Sequence, residues 1–115
     1  MRTYTPKKSD KSNAAVAAPE YPWVIVRCDR AGVFFGRLVD FDKPNACVRL
    51  KDCRRLWYWS GAASLSELAV SGTKRPLNCK FTVRVADIAV LGVIEVIPCE
   101  VAAIESINGV PEWRA

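Results

Sequence analysis

Arg54-Arg55-Leu56-Trp57-Tyr58-Trp59 runs directly into Ser60-Gly61-Ala62-Ala63-Ser64, and the way these eleven residues are read decides the fold. The first six place two guanidiniums ahead of three aromatics and read as extended chain, because large aromatic side chains suit a pleated, half-buried surface. The next five are small and polar and lead into Ser64-Leu65-Ser66-Glu67. There Ser64 fits an N-cap and Glu67, three residues on, completes a capping box. A strand that hands over to a short helix within a few residues fits a mixed α and β domain.

Upstream of this block, Trp23-Val24-Ile25-Val26-Arg27-Cys28 is rich in β-branched residues, Asp29 to Gly32 is a turn, and Val33 to Phe41 is the returning arm of a hairpin. Gly36 within that arm marks a bulge or a close backbone approach. Asp42-Lys43-Pro44-Asn45 forms the next turn, and Ala46 to Leu50 starts a third strand. Lys51-Asp52 is expected to mark a short break or a second hairpin before Arg54 to Trp59. Downstream, Leu65, Leu68 and Ala69 repeat at helical spacing and Gly72 ends that helix.

Thr73 to Leu77 is a loop carrying Lys74 and Arg75. Cys79 to Val85 alternates, which places Phe81, Val83 and Val85 inward and Lys80, Thr82 and Arg84 outward in a half-exposed antiparallel strand. Ala86-Asp87 reads as a turn or bulge, and Gly92 divides the apolar stretch Ile88 to Ile97 into two short strands. Val101, Ile104 and Ile107 then recur at three-residue steps as a second short helix. It closes at Asn108-Gly109, residues that accept left-handed backbone. Trp113 beyond it needs burial, against the domain or against a second subunit. The expected architecture is therefore α+β: a small, strongly bent antiparallel sheet or barrel of five to seven strands, with two short helices.

At 115 residues, 50% apolar, the chain has room for one folded domain, expected over residues 21–115. Residues 1–20 are polar and then alanine-rich without periodicity, as in a disordered tail. No apolar run reaches the length of a membrane-spanning helix, and the N-terminus lacks the apolar block of a secretory signal, so a cytoplasmic location away from membranes is expected. The five cysteines form no C-x-x-C pair and the chain has no histidine. This removes most zinc arrangements and every histidine-dependent triad, and it reads the cysteines as small buried hydrophobes. No metal or cofactor is expected.

The formal net charge of +5 invites a nucleic-acid reading. However, Arg2, Lys7, Lys8 and Lys11 against Asp10 and Glu20 place part of that excess in the tail, leaving a mildly basic body. Such a body matches a small anionic ligand better than a long polyanion, which needs a continuous basic stripe. Arg54, Arg55, Trp57, Tyr58 and Trp59 are the candidate ligand-binding residues, joined by Ser64 at the helix start and by Lys80 and Arg84 on the strand that follows. Strand alternation puts Arg55, Trp57 and Trp59 on one face and Arg54, Leu56 and Tyr58 on the other. Leu56 and Tyr58 are expected inward with at least one tryptophan displayed, although alternation alone serves the opposite assignment nearly as well. The same rings could equally fill a small core. Asp29, Asp40, Asp42, Asp52, Asp87 and Glu95 show no dyad or metal spacing, so catalysis is not expected.

Gly32-Val33-Phe34-Phe35-Gly36, the block Arg54 to Leu65, Cys79-Lys80-Phe81 and Ile94-Glu95-Val96-Ile97-Pro98 together resemble a family of small uncharacterised proteins of tailed phages and prophages. The resemblance covers residues 21–115 and implies a short phage protein not needed to build a virion, in the size range of anti-defence factors. In size and in ligand-type chemistry the chain is also similar to phage anti-defence proteins that sequester nucleotide second messengers. That analogy implies a non-catalytic homo-oligomer whose partner is a cyclic oligonucleotide or a cyclic ADP-ribose derivative. An enzyme degrading such a nucleotide and a nucleic-acid-binding accessory protein are the alternatives.

Overall fold

In the computed structural model, residues 20–115 are described; the expected tail lies outside them apart from Glu20. The chain begins with a three-stranded meander of β1 (Trp23–Cys28), β2 (Val33–Asp42) and β3 (Cys47–Tyr58). Each neighbour is antiparallel to the last, and the turns fall where Asp29 to Gly32 and Asp42 to Asn45 place them. The Asp42 carboxylate accepts from the backbone and side-chain N–H groups of Asn45, as turn chemistry leads one to expect.

After β3 come α1 (Leu65–Ser71), a single 3-10 turn (Pro76–Asn78), β4 (Lys80–Phe81), β5 (Val85–Leu91), β6 (Val93–Pro98) and α2 (Val101–Asn108). All six strands join one antiparallel sheet. β3 pairs with β2 along one edge and shares its other edge between β5 and β4, while β6 adds to β1. The order β5-β3-β2-β1-β6 separates β5 from β6 by four inter-strand gaps, about 19 Å in a flat sheet. Yet Leu91 pairs with Cys47 and Val93 with Cys28, and only Gly92, at φ 73°, joins them. Two Cα steps reach at most about 7 Å, so the sheet is strongly bent and its two edges converge at that end. β5 and β6 do not pair with each other, and the sheet stays open rather than closing into a barrel.

Both sheet faces are buried. Val24, Val26, Phe34, Leu50, Cys53 and Val90 fill the inside of the bend. Ile25, Phe35, Leu56 and Phe81 pack on the other face against Leu68 and Ala69 of α1 and Ala103 and Ile107 of α2. This two-sided burial explains why β1 opens with four apolar residues in a row, Trp23 to Val26, instead of alternating. A Cβ on Gly36 would lie 3.1 Å from the Cys53 Cα and the Lys51 carbonyl oxygen, a tight fit in which β2 or β3 would have to give by a few tenths of an ångström.

Several local expectations change. The break at Lys51-Asp52 is neither a hairpin nor an end: β3 runs through it, with Asp52 in left-handed backbone at φ 52°. Opposite Gly36 the β2–β3 register shifts, so one extra residue sits on β3 and reverses which side chains face which core. The alternating strand expected over Cys79 to Val85 shrinks to Lys80–Phe81, since β3 offers β4 only the short edge beside Leu56 and Tyr58. Phe81 is buried as expected, whereas Val83 and Val85 are exposed. Ala86-Asp87 is not a turn but part of β5, paired to β3. Val101 lies exposed at the start of α2, whose buried residues are Ala103 and Ile107, and Gly109 ends that helix in right-handed, not left-handed, backbone.

Candidate functional site

The second bulge of β3 lies between Leu56 and Tyr58, and it rearranges the aromatic block. Arg54 and Leu56 are buried, Trp57 is 63% exposed and Tyr58 is 52% exposed. Trp59 turns back toward the helix-facing core. Leu56 is thus inward and Trp57 outward as alternation predicts, but Tyr58 and Trp59 exchange roles, because the bulge removes the two-residue repeat there.

Trp57 does not stand alone. Its ring lies parallel to that of Trp113, with centroids 6.4 Å apart and planes 3° from parallel. Trp113 is carried by the C-terminal segment, where Glu112 bridges Phe81 in parallel fashion and the Trp113 N–H donates to the Phe81 carbonyl at 2.8 Å. Trp113 itself remains 45% exposed, so the burial expected of it is only partial. Lys80, exposed on β4, holds its Nζ 5.3 Å from the centre of the Trp113 ring, a cation–π contact. Lys80 makes no ion pair among the described residues.

Arg55, two residues before Trp57, is exposed and lays its guanidinium 4.7 Å over the Phe34 ring. Its backbone N–H donates to the Thr82 hydroxyl, which fixes the strand beneath it. Trp57, Trp113 and Lys80 therefore form one open surface, two parallel indoles with a cation over one of them, and Arg55 stands two residues before Trp57 on β3. Tyr58, also exposed, is the register partner of Lys80 across the β3–β4 pair, which puts these two side chains on one sheet face. Trp113 was read from the sequence only as a residue in search of burial. What would have marked it as a site residue was the same unplaced indole, had its neighbour been known.

The remaining candidates serve the fold. Arg54, 1% exposed, donates to four backbone carbonyls: Thr82 at 3.2 Å, Ile107 at 2.8 Å, Phe81 at 3.2 Å and Pro111 at 3.4 Å. Burial pushes its guanidinium down to about 10, with the charge of Arg84 acting the same way and Glu112 opposing, so it stays cationic at neutral pH. Arg84 is held by the Asn108 side chain at 2.7 Å and by the Asn108 and Asp52 carbonyls. The Ser64 hydroxyl accepts from the Glu67 N–H at 3.1 Å, and the Glu67 carboxylate accepts from the Ala63 N–H at 2.7 Å. The N-cap bond forms as expected, whereas Glu67 reaches the N–H of Ala63, one residue before the cap, instead of that of Ser64.

Cys28, Cys53 and Cys79 are buried and all five thiols are free. Burial pushes Cys53 and Cys99 up to about 12, which removes thiolate character. Among the described residues no three histidine, cysteine or acidic side chains cluster as metal ligands would. No helix among them is long and apolar enough to cross a membrane.

Residues 22–107, most of the chain, match the family described as a domain of unknown function, DUF6948. The chain belongs to that family. The match holds β1 to β6 and nearly all of α2, with Arg54, Arg55, Trp57 and Lys80 inside it, and it stops before Trp113. No curated protein and no solved structure matches the chain.

Proposed function

We propose that this DUF6948 protein binds a nucleotide by stacking its base on the Trp57–Trp113 pair, and that it holds the ligand without cleaving it. The supporting observation is an indole 63% exposed yet aligned within 3° of a second indole, beside an ammonium that makes no ion pair among the described residues. Large aromatic rings left in water forgo their burial energy, so a displayed pair is better explained by a ligand than by packing. A base stacked on an aromatic ring contributes about 1–3 kcal/mol, and Lys80 and Arg55 supply charge for its phosphate. The residues of this surface are indoles, a lysine and an arginine, with no carboxylate or histidine among them to serve as a general base.

In the phage setting that the resemblance implies, the ligand is a nucleotide immune signal of the cyclic oligonucleotide or cyclic ADP-ribose type, and the role is its sequestration. Self-association belongs to this reading. Among the described residues β5 pairs only with β3 and β6 only with β1, which leaves outer strand edges carrying exposed Leu91 and Ile94 for a second copy. The test is depletion: the protein should lower the free concentration of a cyclic dinucleotide or a cyclic ADP-ribose isomer, and heat denaturation should return it intact. Recovery of a cleaved product would replace sequestration with catalysis. Single-stranded nucleic acid is the second reading, favoured because the indole surface is open and could continue along a strand. It predicts affinity that falls steeply with added salt and resists competition by mononucleotides.

A further inference from the structure

Arg54 and Arg55 are adjacent, but their guanidiniums do different work. Arg54 is the point where three separate segments meet: its four acceptors belong to β4 and the residue after it, the end of α2 and the C-terminal segment. Two of those acceptors bear directly on the indole pair. Pro111 lies two residues before Trp113, and the Phe81 carbonyl that receives Arg54 Nη2 also receives the Trp113 N–H. The guanidinium plane further lies 5.6 Å over the Phe81 ring. A planar fork with five fixed donors can gather carbonyls from several directions at once, which a lysine ammonium at the end of a flexible stem cannot do with the same geometry. An arginine buried without a carboxylate is costly, so its retention needs every one of those bonds.

We infer that the C-terminal segment Val110 to Arg114 is a ligand-binding arm, with Trp113 as its stacking residue and Arg54 as the positioning residue that seats it against Trp57. This deepens the proposed function and rests on it for the ligand class. The arm lies beyond the stretch that matches the DUF6948 family, whereas Arg54, Trp57 and Lys80 lie within it. The site is therefore incomplete until the chain's last residues dock on the buried guanidinium. Only one face of the indole pair can be built from the family region alone.

Two parallel indoles this close couple their electronic transitions, which gives a circular-dichroism couplet that Trp57→Phe and Trp113→Phe should each abolish. Arg54→Lys, if it folds with a cooperative melt, is expected to lose most of that couplet. Its affinity for the 5′-phosphorylated dinucleotide pApA should fall about tenfold, the scale of one lost stacking contact. An unchanged couplet in folded Arg54→Lys overturns the positioning role, whatever the ligand. If Arg54→Lys does not fold, a chain ending at Pro111 keeps all four Arg54 acceptors and isolates the arm. It should melt close to the parent and bind pApA about tenfold more weakly; parent-like binding overturns the arm. Should the parent chain bind none of pApA, AMP, a cyclic dinucleotide and a cyclic ADP-ribose isomer, the nucleotide reading fails, while the couplet still decides whether Arg54 seats Trp113.

Discussion

Two clusters in this protein are built from the same parts, a pair of nearly parallel aromatic rings and a cation, and they end in different environments. At the start of the sheet Trp23 stacks on Phe35, with centroids 4.9 Å apart and planes 13° from parallel, and Arg37 lies 4.9 Å over the Trp23 ring. Phe35 is fully buried, Trp23 packs against the helix-facing core, and Arg37 also pairs with Asp52 at 3.6 Å. At the far end of β3, Trp57 stacks on Trp113 with Lys80 above, but both indoles stay largely exposed and the ammonium has no acidic partner among the described residues. The rings of the first cluster are held by a core and its cation by a carboxylate. In the second, both of those roles are open. The difference teaches that a cation and stacked rings do not by themselves make a site; what matters is which of their surfaces the fold leaves uncovered.

The comparison breaks most visibly on truncation. Phe35→Ala should cost about 3–5 kcal/mol in urea denaturation, because a buried ring leaves a cavity that a two-sided sheet cannot close. If Phe35→Ala were nearly neutral, the first cluster would not be structural. Trp57→Ala is expected to change stability by only about 1 kcal/mol or less, the range of substitutions at exposed positions. The same variant should reduce nucleotide affinity about tenfold or more, and Arg55→Ala should weaken it too while the protein stays folded. Parent-like binding in both would remove the site from this end of β3.

The smallest effect concerns cations that do have an acid partner. Arg49 on β3 meets Asp87 on β5 through two bonds of 2.9 and 2.7 Å, and that hydrogen bonding holds the Asp87 carboxyl below its usual range. Because the folded state then binds its proton less readily than the unfolded state, the pair stabilises the fold above the ordinary aspartate range. That stability is lost as pH falls through the depressed value. Asp87→Asn should flatten this acid limb in melts recorded between neutral pH and pH 3, modestly, since the pair is exposed. Lys80→Gln should leave the limb unchanged, and a shift there would reveal a carboxylate partner at the indole pair.

The N-cap at Ser64, the turns at Asp29 and Asp42 and the division at Gly92 were legible because each rests on backbone chemistry within a few neighbours. Leu56 and Phe81 could be placed inward for a similar reason, as alternation is local. Tyr58 and Trp59 could not, since a bulge shifts the repeat by one and nothing in the residues flanking it announces one. Nor could the alternating pattern from Cys79 to Val85 become a full strand. A strand forms only where a neighbouring edge exists, and most of that edge of β3 is taken by β5.

By itself, then, the sequence determined an α+β chain with a bent antiparallel sheet, two short helices and a block in which arginine and aromatic side chains crowd together. Tertiary structure alone decided that the two arginines of that block part company. Arg54 is buried because carbonyls 27 to 57 residues away converge on it, and no local pattern encodes a convergence at that range. It also decided that Trp57 meets Trp113, since two indoles 56 positions apart become one surface only when the C-terminal segment docks along Phe81.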